Sequence, residues 1–274
     1  MSDLSSFSGV IKKLLEDNHT EDPISELDLA VYHLKNVPID SADAELTKIV
    51  NGIKSGRPTA RILGYDIVVG TKIVIDDNVL SPGPETKTLI EKTIKLANSL
   101  IEPNILDVGT GPGSIAIAIG KNVSSAHLIG IDISPNTIKA ATINAKLNSV
   151  VVEFRHGDLF GPVNGELFDI IVANPPYVKT SSINLLPDFV RNFAPLVAID
   201  GGEDGLVLHK KILSEAPSFL KPGGSLIIEC EDNQDIELIK LFEIYGWETI
   251  ERYHNRYGKI RGFQLVTKPL TSSS

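Results

Sequence analysis

Cysteine is nearly absent from the chain: Cys230 is its one cysteine, which excludes an internal disulfide framework and a zinc site built from cysteines. Positive charge is also in short supply, since 26 Lys and Arg face 35 Asp and Glu and give a formal net charge of −9. A surface that grips a nucleic-acid backbone needs an excess of positive charge. We therefore expect no strong nucleic-acid binding, although the composition still permits a local basic groove.

Long hydrophobic runs are missing as well. No stretch approaches the length that spans a membrane, and the residues after Met1 lack the basic start and apolar run of a secretory signal. We therefore expect a cytoplasmic protein with no membrane partner. The 274 residues, 42% of them hydrophobic and 22% charged, are typical of ordinary globular proteins. They suffice for one large domain or for a small domain joined to a medium one.

Paired metal ligands are not evident in the sequence. His156, His209 and His254 are scattered without the spacing that metal ligands show, so we predict no metal site. Cys230 lies in an apolar, strand-like run with no identifiable partner base. We interpret it as a small core residue rather than a nucleophile.

The first 60 residues carry a helical pattern. Apolar residues recur at helix spacing from Val10 to Leu15, a second helix follows Asp22-Pro23, and a third ends near Gly56. We predict a small helical N-terminal domain over residues 1–60. Two short apolar runs on either side of Gly70 then predict a β-hairpin linker over residues 61–82.

Strands and helices alternate from Ile101 onward. Strand-like segments are expected near residues 104–106, 128–131, 151–154, 170–172, 225–228, 248–250 and 263–266, with helices between the earlier ones. Such alternation predicts an α/β domain, here over residues 83–270, with a parallel sheet covered by helices on both faces. Ligands of such sheets bind at the carboxyl ends of the strands. Residues 271–274 are interpreted as a frayed tail.

A glycine-rich turn follows the first strand of this domain: Asp107-Val108-Gly109-Thr110-Gly111-Pro112-Gly113. Glycines there let a ligand approach the backbone, and the helix that follows offers free N–H groups. The third glycine comes one residue too early for a dinucleotide fingerprint, and no Lys opens the helix as in a P-loop. The turn therefore fits a ligand without a phosphate grip, and a plain turn without any ligand is the alternative.

Acidic residues follow the next two strands. A carboxylate at Asp132 could accept both hydroxyls of a ribose, and Asp158 could hold an adenine amino group. A lone Asp at a strand end is usually a helix cap. Because Asp107, Asp132 and Asp158 come in successive strand–helix loops, they outline a nucleoside site.

The fourth strand ends in Asn174-Pro175-Pro176-Tyr177. Neither proline can continue the strand's hydrogen bonds, so their carbonyls stay free as acceptors. Asn174 adds a side-chain oxygen that can accept from an N–H, and Tyr177 adds an aromatic face. The cluster suits a planar amino or amide group, whereas an ordinary Asn-Pro turn is the alternative.

These motifs together resemble class I methyltransferases that use S-adenosylmethionine to methylate planar nitrogen, and most of all the HemK/PrmC group, the release factor glutamine methyltransferases. The resemblance covers roughly residues 57–267. It includes these further segments: the linker from Arg57-Pro58 to Gly64, the segment from Ser81 to Thr86, the loop from Phe193 to Leu206, Glu229 with Asn233-Gln234, and Tyr257-Gly258 with Arg261. Gly83 stands where the family usually has Arg, and Lys87 where an acid is common.

The resemblance implies a Rossmann-like, seven-stranded class I methyltransferase domain and S-adenosylmethionine as cofactor. It also implies a release-factor-like protein substrate, while an N-methyltransferase of a nucleobase or small molecule, a non-catalytic module and an NAD-dependent oxidoreductase stay as alternatives. The implied catalytic residues are Asn174, Pro175 and Tyr177. The implied cofactor-binding residues are Thr86, Asp107, Gly109, Thr110, Gly111, Gly113, Asp132, Ile133, Asp158, Leu159 and Asn174. The implied substrate-binding residues are Pro84, Glu85, Asn174, Pro175, Pro176 and Tyr177.

Overall fold

The structure, a computed structural model, describes residues 4–17, 22–75, 79–80, 82–255 and 258–268. The tail at 271–274 therefore lies outside the described residues, as do Ser81 and Tyr257 of the family-like segments and the side chain of Pro84. The expectations placed on them stay predictions.

In the part of the chain that the structure describes, four α-helices precede the hairpin. The side chain of Asp22 accepts from the Ser25 amide and caps the second of them, which begins at a proline that has no N–H to lose. The helices are α1 (Leu4–Asp17), α2 (Pro23–Asn36), α3 (Ala42–Lys54) and α4 (Thr59–Leu63). Their apolar faces meet in a core of their own that contains Ile11, Leu15, Ala30, Leu34, Ile49 and Ile53. The predicted helical N-terminal region is confirmed.

The hairpin consists of β1 (Tyr65–Val68) and β2 (Thr71–Val74), which pair antiparallel. Asn144 holds its outer edge, because its side chain accepts from the Val74 amide at 2.9 Å and donates to the Val74 carbonyl at 3.1 Å. This satisfies an edge that would otherwise be unpaired. The predicted boundaries at residues 60, 82 and 270 stay a proposal for the domain division.

The remaining elements form the large α/β domain. They are α5 (Pro84–Ala97), β3 (Asn104–Val108), α6 (Ser114–Asn122), β4 (His127–Asp132), α7 (Pro135–Leu147), β5 (Glu153–His156), β6 (Phe168–Ala173), α8 (Asp188–Phe193), α9 (Leu196–Ile199), α10 (Val207–Glu215), β7 (Leu220–Glu229), α11 (Asp235–Ile244), β8 (Trp247–His254) and β9 (Ile260–Thr267). The strands make a seven-stranded sheet in the order β5-β4-β3-β6-β7-β9-β8. The predicted fold class is confirmed.

The prediction of a parallel sheet is wrong for one strand. β9 pairs antiparallel with both β7 and β8, whereas the other neighbours in the sheet are parallel. The reason is the short connection between β8 and β9, which leaves no room for a crossover helix and therefore turns the chain back on itself. The predicted strand at 151–154 is also shifted toward the carboxyl end, since β5 spans Glu153–His156.

The central strands are enclosed on both faces, which explains their unbroken apolar runs. Leu106 in β3 and Ile171 and Val172 in β6 are fully buried. The chain builds outward from β3 in one direction and then returns to add β6 on the other side. A crevice forms at such a reversal, at the carboxyl ends of β3, β4 and β6. Among the described helices none is both long and apolar enough to cross a membrane.

Candidate active site

A cavity of about 800 Å³ opens at the carboxyl edge of the sheet. The loops after β3, β4, β5 and β6, the exit of the hairpin and the segment around α9 all contribute residues to its lining. The described lining residues run along the chain from the hairpin exit: Val79, Leu80, Pro82, Gly83 and Thr86; residues 108–112, 114 and 115; residues 131–134 and Thr137; residues 157–159; Asn174 and Pro176; and residues 195–198, 200–202, 207, 208 and 211. The predicted loops therefore meet in one place.

The glycine-rich turn after β3 exposes its backbone to this cavity. Gly109, Gly111 and Gly113 have φ of 72°, 56° and 84°, which other residues adopt only with strain. A Cβ on Gly109 or Gly111 would meet nothing within 4 Å, whereas one on Gly113 would approach Ile117 to 2.7 Å. Gly113 is thus needed for packing against the helix, and the first two glycines leave open space above the turn.

Asp107 lies beneath the turn and does not line the cavity. Its Oδ2 accepts from the Thr110 hydroxyl at 2.6 Å and from the Ala116 amide at 3.2 Å, so it ties the turn to the start of α6. Burial raises the pKa of Asp107 to about 7. Its Oδ1 is buried and has no hydrogen-bond partner among the described residues.

Asp132 ends β4 and faces the cavity. Its Oδ2 accepts from the Gly111 amide at 3.0 Å and its Oδ1 accepts from the Ser134 amide at 2.8 Å. Burial raises the pKa of Asp132 above its usual range, opposed by these two hydrogen bonds. Each carboxylate oxygen keeps a further lone pair for a ligand. The structure thus brings Asp132 to the glycine turn, as the motif spacing predicts.

Apolar and acidic side chains complete this side of the cavity. Ile133 follows Asp132 and is 54% exposed, although it is a large apolar residue. Asp158 and Leu159 line the cavity from the loop after β5. An exposed carboxylate beside two aliphatic side chains suits a flat heteroaromatic ring that carries an amino group.

Asn174 lines the cavity at the end of β6. Its Nδ2 donates to the Thr86 hydroxyl at 3.0 Å, and Thr86 itself is buried. Because the amide nitrogen is engaged, the side-chain oxygen is the end left to accept a further donor. Pro176 lines the cavity as well, whereas Pro175 is buried behind it.

Tyr177 does not take the place expected for it. Tyr177 is not among the described residues that line the cavity. Its hydroxyl oxygen accepts a hydrogen bond from Nη2 of Arg261 at 3.2 Å. The same guanidinium lies 5.6 Å from the centre of the Tyr177 ring. The expected packing of the ring against a planar substrate group is thus not what the geometry shows. A half-buried guanidinium needs an acceptor and an aromatic face, and Tyr177 supplies both.

The backbone of Tyr177 is fixed just as firmly. Gln234 donates from Nε2 to the Tyr177 carbonyl at 3.1 Å and to the Gly205 carbonyl at 3.2 Å. A Cβ on Gly201 would lie 2.8 Å from the Tyr177 Cα, so only glycine lets this loop approach so closely. The loop that carries Asn174 is therefore held rigidly from behind.

Glu85 also points elsewhere than expected. Its Oε1 accepts from Nδ2 of Asn255 at 3.2 Å, and it does not line the cavity among the described residues. Thr86 and Gly83 on either side of this part of α5 do line it. His209, by contrast, is a buried core residue whose Nε2 donates to the Glu229 carbonyl at 2.9 Å.

Two contributors to the site lie in segments that only the family resemblance singles out. Leu196 and Val197 line the cavity although they are 59% and 61% exposed. Arg61 reaches from α4 to the carbonyl oxygens of Val79, which lines the cavity, and of Phe193, which precedes α9. The resemblance pointed to both segments, but the contact between them follows only from the fold.

Comparison with known proteins decides the family. A methyltransferase domain family matches residues 102–254. The release factor glutamine methyltransferase of Thermodesulfovibrio yellowstonii is 34% identical to this chain over 232 residues, which are 83% of each protein. The chain belongs to the release factor glutamine methyltransferase family.

A second relative supports this family, and a solved structure supports the fold. The enzyme of the same description from Agrobacterium fabrum is 31% identical over 224 residues, covering 80% of this chain and 77% of that one. Among solved structures, a ribosomal protein L11 methylase from Lactobacillus delbrueckii subsp. bulgaricus shares the fold, with a TM-score of 0.53 and 20% identity over 70% of this chain and 82% of that one. The resemblance to the release factor glutamine methyltransferases is confirmed. Membership in a methyltransferase family disagrees with the alternative of an NAD-dependent oxidoreductase.

Proposed function

We propose that this protein transfers a methyl group from S-adenosylmethionine to the side-chain amide nitrogen of a glutamine in a protein such as a peptide chain release factor. The observation that carries the proposal is the Asn174 amide, with its nitrogen bound to Thr86, beside an open glycine turn in one cavity. The described activity of relatives that are 31% and 34% identical supports it.

The residues present fit S-adenosylmethionine. The open backbone at Gly109 and Gly111, which both line the cavity, suits the amino acid part of the cofactor. Asp132 would accept from the ribose hydroxyls, and Asp158 with Leu159 would hold the adenine ring. When bound, the cofactor supplies a methyl group already activated by its sulfonium.

The protein's task is then to position and desolvate the acceptor nitrogen. A carboxamide nitrogen is a poor nucleophile because its lone pair is delocalised into the carbonyl. Hydrogen bonds from its N–H groups to the Asn174 oxygen and to the Pro175 carbonyl would draw electron density onto nitrogen. These bonds strengthen as positive charge develops, so they favour the transition state over the bound substrate. No strong base is required, since the nitrogen gives up its proton readily once it is methylated.

The walls of the cavity favour a protein substrate. Leu196 and Val197 expose large apolar surfaces at its side, which a polypeptide loop could cover. The formal net charge of −9 speaks against a nucleic-acid duplex. A chain release factor works in the cytoplasm, so the proposal carries that location with it.

A second candidate acceptor is the amino nitrogen of a small molecule. The observation that favours it is Gly83, which lines the cavity where the family usually has Arg. Its φ of −72° suits any residue and a Cβ there would meet nothing within 4 Å, so neither backbone nor packing explains the glycine. The cavity wall is open at this point.

One labelling experiment separates these acceptors. The purified protein is incubated with methyl-labelled S-adenosylmethionine and, in separate reactions, a release factor, nucleic acid and a small-molecule extract. Mass spectrometry of the digested release factor should place one added methyl group on a glutamine. A release factor in which that glutamine is replaced by Asn is the matched control and should stay unlabelled. Label found only in the extract would overturn the protein substrate and favour the second candidate.

A further inference from the structure

Asn144 is a buried side chain of α7 that contacts both the hairpin and the glycine turn. It is 1% exposed. Its Oδ1 accepts from the Val74 amide at 2.9 Å, and its Nδ2 donates to the carbonyls of Val74 at 3.1 Å and of Pro112 at 2.9 Å. The amide oxygen thus has a donor, and each N–H of the nitrogen has an acceptor. Reversing the amide would place its oxygen against two carbonyls, so this orientation is the one that satisfies every group.

The Pro112 carbonyl is the part of the glycine turn that Asn144 holds. Pro112 lines the cavity and lies between Gly111 and Gly113, which have φ of 56° and 84°. Because glycine permits many backbone conformations, neighbouring contacts must fix the shape of such a turn. Pro112 has no N–H, so its carbonyl is the backbone group through which a hydrogen bond can hold it. Asn144 supplies that hydrogen bond.

The first half of the turn is held from a different element. The amides of Gly109 and Thr110 donate to the Ile131 carbonyl of β4 at 2.9 and 2.8 Å, and the Gly111 amide donates to Asp132. Asn144 adds a contact from α7 just before the turn enters α6. The same side chain holds Val74, so the shape of the turn and the position of the hairpin depend on one carboxamide.

We propose that Asn144 is a positioning residue for the S-adenosylmethionine site: by holding the Pro112 carbonyl it fixes the glycine turn and ties it to the hairpin. Asn144 does not line the cavity, so its effect on the cofactor passes through Pro112. A turn that is already ordered loses less conformational entropy when a ligand binds, which raises affinity. This inference rests on the cofactor of the proposed function and not on its acceptor.

A purely structural role is the competing explanation, because Asn144 also holds the hairpin. Asn148 separates the two roles. It lies four residues later, where it accepts from the Lys72 amide at 3.2 Å and donates to the Lys72 carbonyl at 2.7 Å. Four helix residues rise about 6 Å and two strand residues span about 6.6 Å, so both asparagines meet alternate residues of β2. The Nδ2 of Asn148 also donates to the Asn144 carbonyl at 2.9 Å, within its own helix. Asn148 therefore holds the same strand without contacting the Pro112 carbonyl.

The test compares Asn144→Ala with Asn148→Ala. Calorimetry measures the dissociation constant of S-adenosylmethionine in each purified protein. We expect a rise of about 5- to 30-fold in Asn144→Ala, the factor that corresponds to a buried carbonyl left without its donor. Asn148→Ala should stay within about twofold of wild type, since it loses contacts to the hairpin alone. Equal dissociation constants in the two variants would overturn the proposal.

A second measurement uses the wild-type protein and covers the case that Asn144→Ala does not fold. Hydrogen exchange followed by NMR reports on the amides of Val74 and Lys72, which donate to Asn144 and Asn148. Saturating S-adenosylmethionine should slow exchange about threefold more at Val74 than at Lys72, because a ligand that orders the turn also stabilises the contacts of Asn144. Equal slowing at the two amides, or none at either, would overturn the proposal.

Neither measurement requires an acceptor, so the outcomes remain distinct from those of the labelling experiment. Methyl label on a nitrogen other than that of glutamine would refute the proposed substrate alone, and the dissociation constants would still decide the role of Asn144. A wild-type protein that does not bind S-adenosylmethionine would overturn both proposals.

Discussion

The guanidinium of Arg61 donates a hydrogen bond to the carbonyl oxygen of Phe193 at 2.7 Å. The same nitrogen donates to the carbonyl of Val79 at 2.6 Å. Val79 belongs to the hairpin exit and lines the cavity, and Phe193 precedes the segment of Leu196 and Val197, which also lines it. One side chain from α4 thus ties the hairpin exit to the chain that leads into the cavity-lining part of α9.

Replacing Arg61 by Ala should therefore affect the acceptor more than the cofactor. Charged hydrogen bonds of this kind contribute about 1.5–3 kcal/mol each, and part of this should appear as a rise of about 3- to 10-fold in KM for the protein substrate. The dissociation constant of S-adenosylmethionine should stay within about twofold of wild type, since the glycine turn is untouched. Steady-state kinetics with an intact release factor would measure the first and calorimetry the second.

Arg57→Ala is the matched control. The guanidinium of Arg57 lies 5.5 Å from the centre of the Phe193 ring. Arg57→Ala therefore removes a cation beside Phe193 but leaves the hydrogen bonds from Arg61 to the two carbonyl oxygens. An exposed cation–π contact contributes about 0.5–1 kcal/mol, and the effect on KM should be correspondingly small. A KM in Arg61→Ala no higher than that of Arg57→Ala would show that the link from Val79 to Phe193 does not matter for the acceptor.

Asn174 offers a direct test of the acceptor geometry. Asn174→Ala removes the side-chain oxygen and should lower turnover by about 100- to 1,000-fold, the loss seen when one transition-state hydrogen bond is deleted. Cofactor binding should fall much less. Asn174→Asp keeps an acceptor oxygen but loses the N–H that donates to Thr86, so we expect intermediate activity. Near-wild-type turnover in Asn174→Ala would contradict the mechanism.

Local motifs predicted the parts of the site that depend on neighbouring residues. The glycine turn, Asp132 and Asn174 each follow a strand directly, and parallel strands bring their carboxyl ends together. The contacts that orient these residues are not local. Thr86 and Asn174 are 88 positions apart, and Tyr177 and Arg261 are 84 apart. Sequence pattern carries no sign of such pairs, which is why Tyr177 was expected to face a substrate.

The same limit applies to the fold. A run of apolar residues predicts a strand but not its direction. The alternation of strands and helices therefore did not predict that β9 is antiparallel. The helices α8 and α9 have 6 and 4 residues, too few for a helical period to show in the sequence. α9 nonetheless contributes Leu196 and Val197 to the cavity. The elements that shape the acceptor side are thus the ones that periodicity detects least well.

Gly205 should be intolerant of any side chain. It has φ of 74°, and a Cβ there would lie 2.5 Å from the Tyr177 carbonyl oxygen. Gly205→Ala must therefore displace the loop that carries Asn174, and we expect a clear fall in melting temperature together with a loss of methyl transfer. Gly165→Ala is the control, because Gly165 has φ of 86° but open space around its Cβ position. Gly165→Ala therefore measures only the free-energy cost of placing a residue with a Cβ at positive φ, about 1 kcal/mol or more. Equal melting temperatures and rates in the two variants would contradict the close approach to Tyr177.

Asp107 should make the stability of the protein fall as pH rises. Its pKa is raised from 3.8 to about 7 by burial, with the nearby Asp132 adding to the rise. A carboxyl with a raised pKa in the folded state stabilises the fold fully below its unfolded pKa and loses that contribution as pH climbs through the folded value. Each pKa unit corresponds to about 1.4 kcal/mol, so the free energy of unfolding should fall by a few kcal/mol between pH 4 and 7. Asp107→Asn cannot ionise, yet its side-chain oxygen can still accept from Thr110 and Ala116. The free energy of unfolding, measured in urea without cofactor, should fall more steeply with pH in wild type than in the variant. A difference between the two proteins that stays constant from pH 4 to 8 would mean that Asp107 does not titrate in this range.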